Sequence, residues 1–175
     1  MHRNIFLFTI FLSIGLATSA QTMTEKDYIR SGNRHYADSL FEKAEVDYRK
    51  ALELNPSSAD ALYNLGNALF LQAEKIPAKA SEALQQYISA AKFETDKERL
   101  AQIYHNIGIL YYLGEQYPQS VAAYKEAMRN NPQDHETRYN LAKAMHMDKK
   151  QPQQDQQQDQ QQVHPEPKDP DPYIP

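Results

Sequence analysis

Leu62-Tyr63-Asn64-Leu65-Gly66-Asn67-Ala68-Leu69-Phe70 is an apolar, helix-forming run with a glycine at its centre. A glycine inside a helix costs about 1 kcal/mol relative to alanine, so its presence asks for a reason. The same arrangement recurs as Tyr28-x3-Gly32 before it and Tyr104-x3-Gly108 after it. Three glycines in three matching places imply one packing demand met three times.

Set in register, the rest of the chain aligns. Gly32 to Gly66 is a step of 34, and Gly108 to Ala142 is another 34. Gly66 to Gly108 is 42, which is 34 plus an eight-residue insertion. Most of the insertion falls around Lys75-Ile76-Pro77-Ala78-Lys79 and the rest before Ala101; it reads as a tolerated loop extension, with Pro77 suited to the first turn of a helix. Downstream of each glycine lie Ala44-x3-Tyr48-x2-Ala51, Ala83-x3-Tyr87-x2-Ala90 and Ser120-x3-Tyr124-x2-Ala127. These offsets share one helix face. Pro56 and Pro132 then stop the second helix. Each unit is therefore expected to be an antiparallel helix pair, in which glycine lets the second helix come close and the tyrosine fills the gap. Such pairs stack, and the last needs a polar-faced cap. Tyr139-Asn140-Leu141-Ala142 repeats the first-helix pattern with no partner helix after it.

This pattern resembles the tetratricopeptide repeat (TPR) family. The fold expected is all-α: a TPR superhelix of three helix-pair repeats over 25–58, 59–100 and 101–134, a capping helix at 135–149, and a disordered Gln/Pro-rich tail at 150–175. The family implies that the first helices line a concave groove. The groove candidates are Asn33 and Tyr36 from the first unit, and Tyr63, Asn64, Asn67 and Phe70 from the second. The third gives His105, Asn106 and Tyr112, and the cap gives Tyr139 and Asn140. Asparagine both donates and accepts, and tyrosine offers stiff area with a polar tip. Such a groove suits an extended peptide segment of modest charge. Chaperone-cofactor members of the family grip a C-terminal carboxylate with two Lys, two Asn and one Arg. Their asparagines match Asn33 and Asn64 here, but their bases fall on Ile29, Gln102 and Asn106, so no ligand of that type is expected.

The N-terminus reads as a secretory signal. Arg3 gives the positive region, Ile5 to Leu16 the apolar run, and Ala17-Thr18-Ser19-Ala20 the cleavage site. Residues 1–20 are thus expected to be removed, leaving a periplasmic chain with no membrane span. Their removal takes away one cation, so the formal charge goes from -4 to -5. Neither value gives the basic footprint of a nucleic-acid binder. The absence of cysteine excludes disulfides, thiolate catalysis and cysteine-held zinc. No Gly-rich phosphate loop or His-Glu-x-x-His motif occurs, and the six histidines are scattered. No catalytic, cofactor or metal residues are assigned, and no enzyme is expected.

Beyond Lys150 the composition changes. Gln151–Gln162 is nine glutamines, two aspartates and a proline, and Val163–Pro175 alternates proline with charge. Neither piece can build a packed core. A signal, a few repeats ending in Asn131-Pro-Gln-Asp-His-Glu-Thr-Arg-Tyr-Asn-Leu-Ala-Lys-Ala144, and a Gln tract together resemble the TPR protein of the Bacteroides aerotolerance (Bat) operons. That resemblance implies an envelope complex with von Willebrand A-type membrane proteins. A periplasmic chaperone or assembly factor for exported proteins is the alternative.

Overall fold

The structure, a computed structural model, describes residues 22–163, those beyond 150 by their backbone alone. The expected signal at 1–20 lies outside the described residues. Seven helices follow one another among them: α1 (Glu25–Ala37), α2 (Phe41–Leu54), α3 (Ala59–Gln72), α4 (Ala78–Phe93), α5 (Lys97–Leu113), α6 (Tyr117–Asn130) and α7 (His135–Val163). They pair as α1 with α2, α3 with α4 and α5 with α6, and the pairs stack through α2 on α3, α4 on α5 and α6 on α7.

Local sequence sets the phase of the stack. Every first helix opens on a polar cap. Thr24 forms a reciprocal box with Asp27, Ser58 Oγ accepts from Ala61 N at 3.3 Å, Asp96 from Arg99 N at 2.9 Å, and Asp134 from Thr137 N at 3.0 Å. These caps satisfy N–H groups that the helix leaves unpaired. The second helices α2, α4 and α6 have no side-chain cap. They start straight out of a turn instead. In the first and third units that turn is short and passes through a left-handed residue, Ser39 (φ 58°) or Glu115 (φ 57°). Backbone bonds close it, from Leu40 N to His35 O at 2.8 Å and from Gln116 N to Tyr111 O at 2.9 Å, as in a Schellman end. After the second helices, Asn55 and Asn131 are extended and accept from Ser57 N and Gln133 N, forming an Asx turn before the next first helix.

The glycines do what the spacing implies. A Cβ built on Gly32 would stand 2.5 Å from Cε1 of Tyr48; on Gly66, 2.7 Å from Cε1 of Tyr87; on Gly108, 2.5 Å from Cε1 of Tyr124. All three rings are at most 2% exposed. Tyr48 and Tyr87 pack with Ala44, Ala83 and Ala90 and the apolar residues of α3 and α5 in one continuous core. A second cluster of Val121, Tyr124, Ala144, Ile109, Tyr112 and Leu141 joins the third pair to α7. Ser120, the one small position with a hydroxyl, donates to the Gly108 carbonyl at 2.8 Å.

Two boundaries differ from the sequence reading. The third unit starts at Lys97 rather than Ala101 because Asp96 caps α5 a turn early. The remaining insertion widens the α3–α4 turn to Ala73–Pro77, which has no left-handed residue. The expected cap ends at 149, whereas α7 runs on to Val163. Glutamine is a good helix former, and extending a helix already nucleated costs little. Residues 164–175 of the expected tail lie outside the described residues.

Candidate functional site: the first-helix face

Asn33 and Asn67 each follow a helix glycine directly, and that shared position gives them the same bonds. Asn33 Oδ1 accepts from the Tyr48 hydroxyl at 2.8 Å and from Asn64 Nδ2 at 3.1 Å. Asn67 Oδ1 accepts from the Tyr87 hydroxyl at 2.7 Å and from Asn106 Nδ2 at 3.4 Å. Burial raises both tyrosine hydroxyls above their ordinary value, so they stay neutral donors. A carboxamide oxygen has two lone pairs, and here both are used. The orientation of each amide is thereby fixed, with the NH2 of Asn33 and Asn67 left for another partner. Asn64 and Asn106 keep their oxygens and one N–H each. Asn33 is exposed, and Asn64, Asn67 and Asn106 are half-buried. The bonds run across α1, α3 and α5, so these helices share one face on which free donors alternate with free acceptors.

Tyrosines border this row. The Tyr63 ring lies 5.9 Å from that of Tyr87, with the Arg99 guanidinium 6.0 Å from the Tyr63 centroid. Arg99 is itself held by Asp60 at 2.5 Å and Glu94 at 2.8 Å. Tyr36 packs edge-on against Phe41 at 5.4 Å. Arg30 is paired with Asp27 at 3.1 Å.

The register changes at the third unit, where Ile109 follows Gly108 and turns into the cluster against α7. The polar link between α5 and α7 sits instead at His105. Its Nδ1 is 2.6 Å from Thr137 Oγ1, and Thr137 Oγ1 donates to Asp134 Oδ2 at 2.6 Å. One hydroxyl carries one proton, so His105 Nδ1–H is the donor to Thr137. Nε2 then faces Glu136, whose carboxylate is 3.7 Å away. Thr137 is fully buried and ties the ring down.

At the far end Lys143 Nζ stands 5.2 Å from the Tyr112 centroid and 5.8 Å from that of Tyr139, a cation–π arrangement. With His146 and Met147 these residues line a recess of about 390 Å³. Tyr139 is 65% exposed, and Asn140 is half-buried on the same helix. Phe70 lies apart, in the wall of an apolar recess at the α3–α4 turn.

The expected residues thus occupy a common set of helices, and the structure joins Asn33 to Asn64 and Asn67 to Asn106. The sequence reading overlooked the hydroxyls of Tyr48 and Tyr87, which it took as space fillers. The recurring pairs Gly32-Asn33 and Gly66-Asn67 were the signal. Thr137, Arg99 and the lysine between two tyrosines carried no such signal. Among the described residues no group of acidic, histidine or cysteine side chains is gathered to hold a metal, and no helix is long and apolar enough to cross a membrane.

A TPR repeat family model matches residues 32–72. Over 110 residues the chain is 29% identical to the Protein STIP1 homolog of Dictyostelium discoideum, covering 62% of this chain and 19% of that one. Among solved structures it is similar to the first TPR of Spaghetti (RPAP3) bound to the HSP90 peptide SRMEEVD. That match has TM-score 0.62 and 16% identity, and covers 70% of this chain and 91% of that one. It is also similar to YrrB, described as a TPR protein with an unusual peptide-binding site, with TM-score 0.59, 24% identity, and coverage of 68% and 57%. The helix pairs therefore have the TPR fold.

Proposed function

We infer, from a TPR fold whose first helices present a row of half-free amides, that this protein is a non-catalytic scaffold holding an extended polypeptide segment. TPR domains are in general interaction scaffolds, and the first TPR of Spaghetti and YrrB are both described with bound or binding peptide. The observation that carries the reading is the fixed alternation along Asn33, Asn64, Asn67 and Asn106. The backbone of an extended peptide also alternates donor and acceptor. Amides already locked by Tyr48 and Tyr87 lose little freedom on binding.

The peptide in the Spaghetti complex ends Glu-Glu-Val-Asp. Here the positions that would carry cations for such an end hold Ile29, Gln102 and Asn106, and Asn106 already donates to Asn67. The ligand is a segment of modest charge instead. The chain works in the bacterial envelope after loss of residues 1–20, and its partner is a von Willebrand A-type membrane protein of a Bat-type complex. The Gln-rich stretch after Lys150 and the signal-like N-terminus support that setting.

Affinity isolation from native envelopes with the full chain and with Asn64→Ala/Asn106→Ala tests this. One dominant, stoichiometric membrane partner is expected with the wild type, reduced at least tenfold in the variant. Undiminished recovery removes the first-helix face as the site. Many weak clients in place of one partner favour the chaperone alternative. A titration with a peptide ending Glu-Glu-Val-Asp should show no saturable binding.

A further inference from the structure

The insertion in the second unit does more than lengthen a loop. The turns of the first and third units are pulled tight by Ser39 and Glu115 in left-handed backbone. The wider Ala73–Pro77 turn lacks that device, and it stands over the ends of α3 and α5 so that a recess of about 550 Å³ opens between them. Its walls are almost wholly apolar: Phe70, Leu71, Pro77, Ala80, Leu110 and Leu113. Leu71 is 42% exposed, Leu113 65%, and Ile76 on the same turn 48%. Two large aliphatic side chains left in water on one concavity, with a third on the adjoining turn, mark a contact surface.

The rim has the opposite character. Glu74 lines the recess, and Glu115 is exposed in the facing turn. Two helices, α3 and α5, end here, and neither has a basic residue in its last turn. A helix C-terminus carries roughly half a negative charge. Lys75 is the one cation on these two turns, while Lys79 is committed to Glu45 at 2.8 Å. An apolar floor beneath an acidic rim fits one kind of occupant.

We propose that the α3–α4 turn edge is a second docking surface, binding a partner protein segment that inserts a bulky apolar side chain with lysine or arginine beside it. The apolar side chain fills the recess between Leu71 and Leu113, and the cation meets Glu74 and Glu115 at the negative ends of α3 and α5. This edge is separate from the asparagine row, so it does not depend on how that row is used.

The test uses the full chain and two sets of short synthetic peptides. One set places Leu or Phe beside Lys and Arg; the other replaces those bases with Glu and Asp. Amide chemical shifts and fluorescence anisotropy are followed. The basic set should bind saturably and shift Leu71, Glu74, Leu113 and Gly114. The acidic set should bind at least tenfold more weakly, and raised salt should narrow the difference. Leu113→Glu, at a position too exposed to disturb folding, should abolish binding, and Glu74→Lys should reverse the preference. Asn64→Ala/Asn106→Ala should leave binding unchanged. The proposal is overturned if the basic set fails to bind at millimolar concentration, if both sets bind alike, or if the shifts fall on Asn64 and Asn106 instead. That last result would support the first-helix groove alone.

Discussion

A hydrogen atom in place of a methyl group decides the helix spacing at Gly32, Gly66 and Gly108. Gly108 is the tightest, since a Cβ there would meet three Tyr124 ring atoms at 2.5, 2.6 and 2.8 Å. The ring is buried and cannot swing away. Gly108→Ala gains about 1 kcal/mol of helix propensity but incurs about 1–3 kcal/mol of overpacking. A net loss of about 1 kcal/mol is expected in urea unfolding. Gly114→Ala is the control, because its nearest non-adjacent atom is 3.4 Å away; it should change stability by less than about 0.5 kcal/mol, as surface changes do. A result in which Gly108→Ala is as harmless as Gly114→Ala would show that the rings do not set the spacing. This level of detail was legible in the sequence because a glycine is costly anywhere else in a helix. The asparagine bonds were only half legible: residue type and position pointed to a shared face, but which amide atoms remain free depends on two tyrosine hydroxyls arriving from another helix.

Between elements, charge does what apolar packing does within the pairs. Glu45 on α2 is only 12% exposed at its side chain. It receives Arg49 at 2.8 Å, Lys79 of α4 at 2.8 Å and Gln72 of α3 at 2.9 Å, and Arg49 also meets Glu82 of α4. Burial pushes its carboxyl up, but these donors outweigh burial and hold it below the usual range. Lys79 is in the inserted stretch, so this network fixes the wide turn onto the neighbouring unit. Glu45→Ala leaves Lys79 and Arg49 half-buried with less compensation. Between a surface pair at up to about 1 kcal/mol and a fully buried one at about 3–5 kcal/mol, a loss of about 2 kcal/mol is expected. Faster amide exchange in the first turns of α4 should accompany it. Unchanged exchange there would mean that the network does not hold the turn. None of this was legible beforehand, since Glu45, Gln72 and Lys79 meet only when two helix pairs are stacked. The early start of α5 escaped notice for a similar reason: the repeat register pointed to Ala101, and the Asp96 cap overrode it.

At the scale of the molecule, stability passes from unit to unit, as in any stack whose members touch only their neighbours. α7 closes the end by covering Val121, Tyr124 and Ile109 with Leu141 and Ala144. Deleting residues 135–175 uncovers that cluster and unseats Thr137 from His105. The truncated chain should unfold at lower urea than the full chain and in a broader transition, with amides of α5 and α6 losing protection before those of α1 and α2. Uniform loss across all helices would show that the stack behaves as one block. The three pairs and the cap were legible because the period survives an insertion. The reach of α7 was not, since a glutamine tract is compatible with helix or with none. The asparagine row also bears on how the stack yields to force. Flexing it toward or away from the first-helix face alters the distance between successive first helices. At the first two junctions that strain falls on the polar struts Asn33–Asn64 and Asn67–Asn106, at 3.1 and 3.4 Å. At the third junction Ile109 takes the apolar place of the asparagine, and the strut has moved four residues back along α5 to His105, which meets buried Thr137 at 2.6 Å. Every junction thus carries a polar strut, and the last is the shortest and most deeply buried of the three, so under load the stack should open between its first units before the cap lifts away.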